Sequence, residues 1–504
     1  MLFRSIYDLF YAKPAPVVSR ADTIEVPERI DARGQVAMPL DLAAAKSAID
    51  AALDTLVARR ELVTGALREG ETTVCWCDAD NYEVLLRMLR RSRQPTFEPR
   101  PGHELTPFLY AWQTRFTSRD RLDRLFETLE RLRNYCAPAR LWETELLPAR
   151  LAGYTTADLD LLFQEGSTCW LGQGEARVTF AFADDLDLLE APADPDLTLF
   201  PDPRGRYDFS SLIDATGLSS GELADRLWAL TWAGVTSNDS IAALRRGIQT
   251  GFSGPAVEPP AAGRTRRRTR RGAFNRWRTS VQFDGNWQAV PWPAANDDLL
   301  AGEERTRERA RVLLDRYGVV FRELLLRETD AFQWRSVFRA LRLMEFSGEA
   351  LSGYFFRDIP GPQFTTPAAL RMLQSFVPKG VFWINALDPI SLSGLQVPEL
   401  RVDLPRRVAG HHMVYADGEL ALVSERNGRV LTIMLEPEDC HLAEVYGVLR
   451  HLLLRSFEPR RKVTIDTIND IAAPRSPYLA SLRDCFDVVA DYKSVYIQRR
   501  VGEI

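Results

Sequence analysis

Residues 155–182 read TTADLDLLFQEGSTCWLGQGEARVTFAF. Thr155 stands three residues before Asp158, the spacing of a helix-capping pair, and predicts a helix that carries Leu162 and Phe163. Two runs of strand-forming residues follow, Ser167–Leu171 and Ala176–Phe182, joined by Gly172-Gln173-Gly174-Glu175. Glycine tolerates the left-handed backbone of a tight turn, so the two runs are expected to fold back as a hairpin. A helical pattern over about Leu141–Leu151 precedes them. Helix, helix, hairpin is the order of a winged-helix domain, with the hairpin as the wing.

Outward from this stretch the order recurs. Over 41–78, Ala44, Ile49, Ala52, Leu53, Leu56 and Val57 fall at helical spacing. A strand over Leu62–Leu67, a polar turn at Glu69-Gly70-Glu71 and a strand over Thr72–Cys77 follow. Over 207–246, Phe209, Leu212 and Ile213 open a short helix. Ser219 and Ser220 are candidate caps for a helix holding Leu223, Leu227, Trp228 and Leu230, which Gly234–Asp239 leaves. Over 303–366, helices at Arg311–Tyr317 and Phe332–Leu343 precede a wing, Glu349–Phe356 and Gln363–Thr365, around Pro360-Gly361-Pro362. The copies keep no strict period, which argues for a tandem array rather than a solenoid. Residues 79–136 read as helical, with a strongly amphipathic stretch from Arg121 to Leu132. From about 376 the pattern changes to strands, at Val381–Ile384, Val408–Tyr415, Glu419–Glu425 and Arg429–Leu435. Asp417-Gly418 and Asn427-Gly428 are hairpin signals between them. Helix 437–454, strand 462–466, helix 477–484 and two short strands complete the chain.

The expected fold class is therefore α+β: tandem winged-helix domains with a helical insert and a C-terminal mixed α/β domain. The boundaries read as an unassigned segment 1–40, winged helix 41–78, helical connector 79–136, winged helix 137–190, winged helix 200–255, arginine-rich linker and strands 256–299, winged helix 300–370 and terminal domain 376–504.

The chain has 504 residues, 45% apolar and 26% charged, with a formal net charge of −5. These values fit several globular domains and exclude a collagen-like or wholly disordered chain. A mildly acidic chain is not a polyanion binder as a whole, so any nucleic-acid contact must come from a local patch. Only five of the 64 basic residues are lysine (Lys13, Lys46, Lys379, Lys462, Lys493). Arginine makes forked contacts to phosphate that lysine cannot. Six scattered cysteines point to a reducing compartment, and Cys75 and Cys77 read as buried strand residues rather than half a zinc site. No run of about 18 apolar residues spans a membrane, and the start of the chain does not read as a signal peptide. The expected location is cytoplasmic, with the bacterial nucleoid. No phosphate-cradling glycine loop with lysine occurs, so this chain is not itself an ATP motor. It is expected to need no cofactor, ATP and Mg entering only through an absent or separate motor, and no metal. His411 and His412, adjacent on a strand, would point to opposite faces and cannot chelate one ion.

The main electrostatic feature is Arg264, Arg266, Arg267, Arg268, Arg270 and Arg271, followed by Arg276 and Arg278, with Trp277 between the last two. Glu258 is the one acid over 256–278, and Pro255, Pro259, Pro260 and Gly263 flank the cluster, as in a linker. Clustered arginines neutralise phosphates and release counterions. Trp277, Trp287 and Trp292 are candidates to stack on bases; the alternative is a solvated linker beside core tryptophans. The second helices of the winged-helix units offer a further surface, although Ser220–Trp232 sets Arg226 against Glu222 and Asp225.

The stretch Leu227-Trp228-Ala229-Leu230-Thr231-Trp232-Ala233-Gly234-Val235-Thr236-Ser237-Asn238-Asp239 resembles a signature of the C-terminal region of Lhr, the large helicase-related proteins. Other pieces agree in order: Phe108–Gln113, Leu146–Arg150 with Gly153-Tyr154, Leu314–Val320, Gly353-Tyr354-Phe355 with Gly361–Phe364, and Arg475-Ser476-Pro477. The resemblance covers roughly 80–504. It implies a DNA-translocating repair helicase of superfamily 2 whose ATPase core lies ahead of the region present here. The chain would then be a fragment, the product of a split gene, or a stand-alone relative. The expected partners are DNA, single-stranded or with a single-strand tail, a separate helicase core, and further copies of the chain; no membrane is expected.

That region of such proteins also resembles AlkZ-type DNA glycosylases and is associated with uracil excision and oligomer formation. Base removal needs a flipped nucleotide and a carboxylate or amide near the sugar. Gln282-Phe283-Asp284 matches the Gln-x-Asp element of AlkZ-type enzymes. Asp484, Asp487 and Asp491 are alternatives without a motif. Three readings stand side by side: a DNA-binding module of an Lhr-type helicase, a stand-alone uracil-DNA glycosylase, and a non-catalytic assembly scaffold.

Overall fold

The computed structural model describes residues 42–67, 72–93, 97–166, 168–193, 195–253, 284–293, 298–397 and 404–500. The chain divides into two compact bodies, Met1–Phe97 and Glu98–Ile504. The architecture is α+β. In the first body, helix Leu42–Ala58 leads into antiparallel strands Leu62–Gly65 and Cys75–Asp78, registered Leu62 to Asp78, and helix Ala79–Arg93 follows. Cys75 and Trp76 are the buried strand residues.

The second body opens with helices Leu105–Gln113 and Arg121–Leu132. A helical run over 139–150 follows, then helix Thr156–Gln164, whose Thr155–Asp158 capping box forms as the spacing requires. Strands Thr168–Gly172 and Arg177–Phe182 make the hairpin, and Ala137–Pro138 adds a third strand beside the latter. Further on, Asp208 caps helix Phe209–Thr216, Ser219 caps Ser220–Trp232, and Ser240 caps Ile241–Thr250. In each case a side-chain oxygen takes up a backbone N–H that the first turn leaves unbonded.

The unit placed at 200–255 does not close within those bounds. Its strand Thr236–Asn238 pairs with Trp287–Ala289, and Trp287 also bridges to Tyr207. The arginine-rich residues thus lie, along the chain, between two paired elements of one unit rather than between units. This unit and the one before it share a single core containing Trp142, Trp170, Phe180, Leu227, Trp228 and Trp287. Gly172 is needed at their junction, because a Cβ there would sit 2.0 Å from the Thr231 carbonyl oxygen.

The next unit runs helix Leu299–Tyr317, strand Val319–Val320, short helix Arg322–Leu325, helix Trp334–Ser347 and strands Leu351–Gly353 and Gln363–Thr365. Gln363–Thr365 is the central strand of its three-stranded sheet. This is winged-helix order, with Trp334–Ser347 in the position of the recognition helix.

The terminal domain holds a six-stranded sheet in the order Val381–Asn385, His412–Ala416, Glu419–Glu425, Val430–Ile433, Thr467–Ile468, Ile471–Ala472. A second sheet sets Val463–Ile465 and Asp487–Ala490 on either side of Val495–Gln498. Helices Leu442–Val445, Gly447–Leu454 and Leu479–Cys485 share one core with both sheets. The helix read over 437–454 begins only at Leu442, and the strand read over Val408–Tyr415 only at His412.

Candidate nucleic-acid interface

Arg264, Arg266, Arg267, Arg268, Arg270, Arg271, Arg276, Trp277, Arg278 and Gln282 lie outside the described residues. Asp284 is exposed just ahead of strand Trp287–Ala289, and its carboxylate accepts the Gly285 N–H at 3.1 Å. Asp484, Asp487 and Asp491 are exposed in the terminal domain, on a helix, at the start of a strand and just past that strand's end. Asp284 thus belongs to the unit closed by Trp287–Ala289, and the other three belong to the terminal domain. Trp287 is fully buried, which rules out base stacking by its ring. Trp292 is half-buried, with its indole N–H donating to the Gly234 carbonyl at 2.9 Å.

The recognition helix of the last winged-helix unit carries what sequence reasoning missed. Val337, Ala340, Leu341 and Met344 face the core. Arg335, Arg339 and Arg342, spaced four and three apart, share the opposite face. Their side chains are 70%, 81% and 42% exposed. Each meets one carboxylate: Asp330 at 3.2 Å, Glu303 at 3.0 Å and Glu345 at 2.5 Å. Exposed pairs of this kind contribute only about 0–1 kcal/mol, so a phosphate can displace them. Phe338 sits among the arginines against Trp334 and Phe364. On the wing side, Tyr354 is 66% exposed. The signal was available in the sequence as three arginines at helical spacing. On helix Ser220–Trp232, Arg226 likewise meets one carboxylate, Asp196 at 2.9 Å.

A second polar constellation is buried. The run over 139–150 contains a π-helical turn, Trp142–Leu146. Residues two apart on a helix point to nearly opposite sides. Glu143 accordingly meets Arg245 (2.6 Å) and the Tyr154 hydroxyl (2.6 Å), while Glu145 meets the terminal domain. There its carboxylate contacts His412 Nε2 at 2.9 Å and Arg455 Nη1 at 2.9 Å. His451 Nε2 lies 3.8 Å away and bonds the Thr144 carbonyl at 2.7 Å. Five residues past Glu145, Arg150 makes two 2.8 Å bonds to Asp388, with Gln113 Oε1 completing its fork. Burial pushes the Glu145 carboxyl up, but His412, His451 and Arg455 outweigh it and hold the group below its usual range. Burial pulls His451 down to about 4, so its ring is neutral near pH 7. Both Glu145 oxygens meet protein partners, His451 is held through Nε2, and this seam joins two domains.

Asp439, Cys440 and His441 bring a carboxylate, a thiol and an imidazole within 4.8 Å of one another. The Asp439 carboxylate already accepts the His441 backbone N–H at 2.8 Å, an ordinary turn contact. A tetrahedral ion would need a fourth ligand that these consecutive residues do not supply.

Two family models, each described as a winged-helix domain of large helicase-related protein, match residues 101–183 and 300–380. The first span takes in helices Leu105–Gln113 and Arg121–Leu132, which the sequence reading grouped with the connector. A Mycolicibacterium smegmatis protein named "Lhr helicase/ probable uracil glycosylase" is 28% identical over 459 residues, covering 82% of this chain and 29% of that protein. An Escherichia coli protein named "Lhr helicase/uracil glycosylase" is 27% identical over 398 residues, covering 72% of this chain and 25% of that one. The chain thus spans under a third of the length of the curated relatives it matches. Streptomyces sahachiroi DNA glycosylase AlkZ superposes with a TM-score of 0.39 at 12% identity, covering 70% of this chain and 97% of that structure. Among the described residues no helix is long and apolar enough to cross a membrane. With these two domain matches, the chain carries winged-helix domains of the large helicase-related type and resembles the C-terminal region of Lhr.

Proposed function

We propose that the chain is a DNA-binding module of the large helicase-related type, one that grips the sugar-phosphate backbone rather than reading bases. The observation that carries this reading is the exposed row Arg335, Arg339, Arg342 on the recognition helix of a matched winged-helix domain. The arginine cluster 264–278 supplies further counter-charge, and it sits along the chain between paired elements of the neighbouring unit. Phosphate contact of this kind is salt-dependent, with a slope of about −0.7 per phosphate on single strands. The module holds a single-stranded or tailed substrate for a motor carried elsewhere, and copies of the chain assemble with one another. The test is fluorescence anisotropy with single-stranded and duplex oligonucleotides over a salt series. Arg335→Ser/Arg339→Ser/Arg342→Ser should flatten the slope by about 2. An unchanged slope contradicts the reading.

A second reading, uracil excision, is favoured by the names of both relatives. Incubation with a uracil-containing oligonucleotide tests it, with Asp284→Asn, Asp487→Asn and Asp491→Asn as the first variants. No abasic product from the parent chain sinks it.

A further inference from the structure

The terminal domain contains a cleft of about 370 Å³ that no part of the reading above uses. Its walls follow from strand periodicity. Along 462–466, Val463 and Ile465 point into the core, so Lys462, Thr464 and Asp466 point the other way. On the neighbouring strand, Val495 and Ile497 are buried, so Ser494 and Tyr496 share the cleft face; Thr464 stands directly opposite Tyr496. The other wall is the turn 426–429 between strands Glu419–Glu425 and Val430–Ile433. Arg426, Asn427 and Gly428 there all take positive φ, of 51°, 58° and 92°. Gly428 lets the turn press on the sheet, since a Cβ would fall 2.4 Å from Val463 Cγ1. Arg460 completes the lining.

The charge in this cleft is one-sided. Arg426, Arg429, Arg460 and Lys462 are all exposed. Among the described residues only Arg429 has a carboxylate partner, Asp466 at 2.9 Å. Asp466 also accepts the Ser494 hydroxyl at 2.9 Å. Lys462 lies over the Tyr496 ring, 4.5 Å from its centroid. Four cations thus face one carboxylate around a tyrosine ring. Unpaired cations held together on a rigid wall repel one another, and an anion placed among them relieves that repulsion. The donors are mostly guanidinium groups, whose fork matches phosphate oxygens.

We propose that this cleft is a phosphate subsite for a nucleic-acid strand, distinct from the winged-helix face. It takes one or two consecutive backbone phosphates, with the Tyr496 ring available to an adjoining sugar or base. Asp466 positions the Arg429 guanidinium and, as the only acid among the described lining residues, weakens phosphate binding. The proposal rests on the DNA-binding reading but involves different residues, so the two can fail separately.

The experiment uses the full chain, a fluorescein-labelled oligo-dT and, as a separate probe, inorganic tripolyphosphate followed by calorimetry. Arg426→Ser/Arg460→Ser should reduce the salt slope for oligo-dT by about 1.4. Asp466→Asn should tighten binding several-fold, a gain that a damaged fold cannot mimic. If the parent binds oligo-dT and neither variant alters slope or affinity, the subsite is wrong while the DNA-binding reading stands. If the parent binds no DNA but loses tripolyphosphate on Arg426→Ser/Arg460→Ser, the cleft serves a free polyphosphate and the nucleic-acid assignment is overturned. Should neither probe bind the parent, both claims fall. If the double variant does not fold, unchanged or weaker oligo-dT binding by Asp466→Asn alone overturns the proposal.

Discussion

Arginine has two fates in this protein. In the buried seam, Arg150 and Arg455 each meet a carboxylate from another part of the fold. In the cleft of the terminal domain, Arg426 and Arg460 are exposed and meet no carboxylate among the described residues. A guanidinium can leave water only when its charge is matched and its donors are satisfied, so burial selects for pairing. Exposure imposes no such demand, and an unpaired group keeps its charge for a polyanion. The same residue type therefore serves as a tie between domains in one place and as a binding group in the other, and its surroundings decide which.

The largest expected effect tests the buried half of this contrast. Arg150→Met leaves the Asp388 carboxylate buried and uncompensated, and should cost about 3–5 kcal/mol in urea unfolding. The double variant Arg150→Met/Asp388→Leu should recover most of that loss. A single-variant loss under about 1 kcal/mol would erase the distinction between the two regions.

Acid should act on the seam next. His451 stays neutral in the fold down to about 4, while an unfolded histidine takes a proton near 6.5. Between those values the unfolded chain binds more protons, so stability falls as pH falls. Glu145, held below the usual carboxylate range, adds a loss in the same direction at lower pH, as it is forced to protonate. The His451 contribution is on the order of 3 kcal/mol. Melting curves across this window should show the fall, and His451→Gln should remove most of its upper part. A parent whose melting temperature is flat from pH 6.5 to 4 would contradict the seam's charge assignment.

Surface positions should respond far less. Arg339→Ser removes only an exposed pair with Glu303, and its cost should stay within about 0–1 kcal/mol. Smallest of all, Arg426→Ser/Arg460→Ser should change unfolding free energy by under about 0.5 kcal/mol, while DNA affinity falls. A large stability loss there would mean that the cleft is structural.

Local features were legible in the chain because their causes are local. The Thr155–Asp158 and Ser219–Glu222 caps, the Asn427-Gly428 turn and the wing around Pro360-Gly361-Pro362 each depend on residues within a few positions of one another. The resemblance to Lhr was readable for the same reason, as short motifs in order. The closing strand Trp287–Ala289 was not, because its partner lies beyond a long intervening segment and strand pairing leaves no mark at that distance. The candidate site was less legible still. The Asp284, Asp487 and Asp491 carboxylates are exposed and come from two domains, and the cleft cations come from two segments whose spacing means nothing until the sheets form.

By itself, the sequence determined the class of elements, their caps and turns, and the winged-helix order, since hydrophobic period and turn chemistry act over one or two turns of chain. Only the tertiary structure decided which charges were spent on one another. Glu145 finds His412 across 267 residues, and Arg150 finds Asp388 across 238. Such pairings are set by packing at long range, where desolvation penalises every unmatched charge, and what packing leaves unmatched at the surface becomes the candidate binding face.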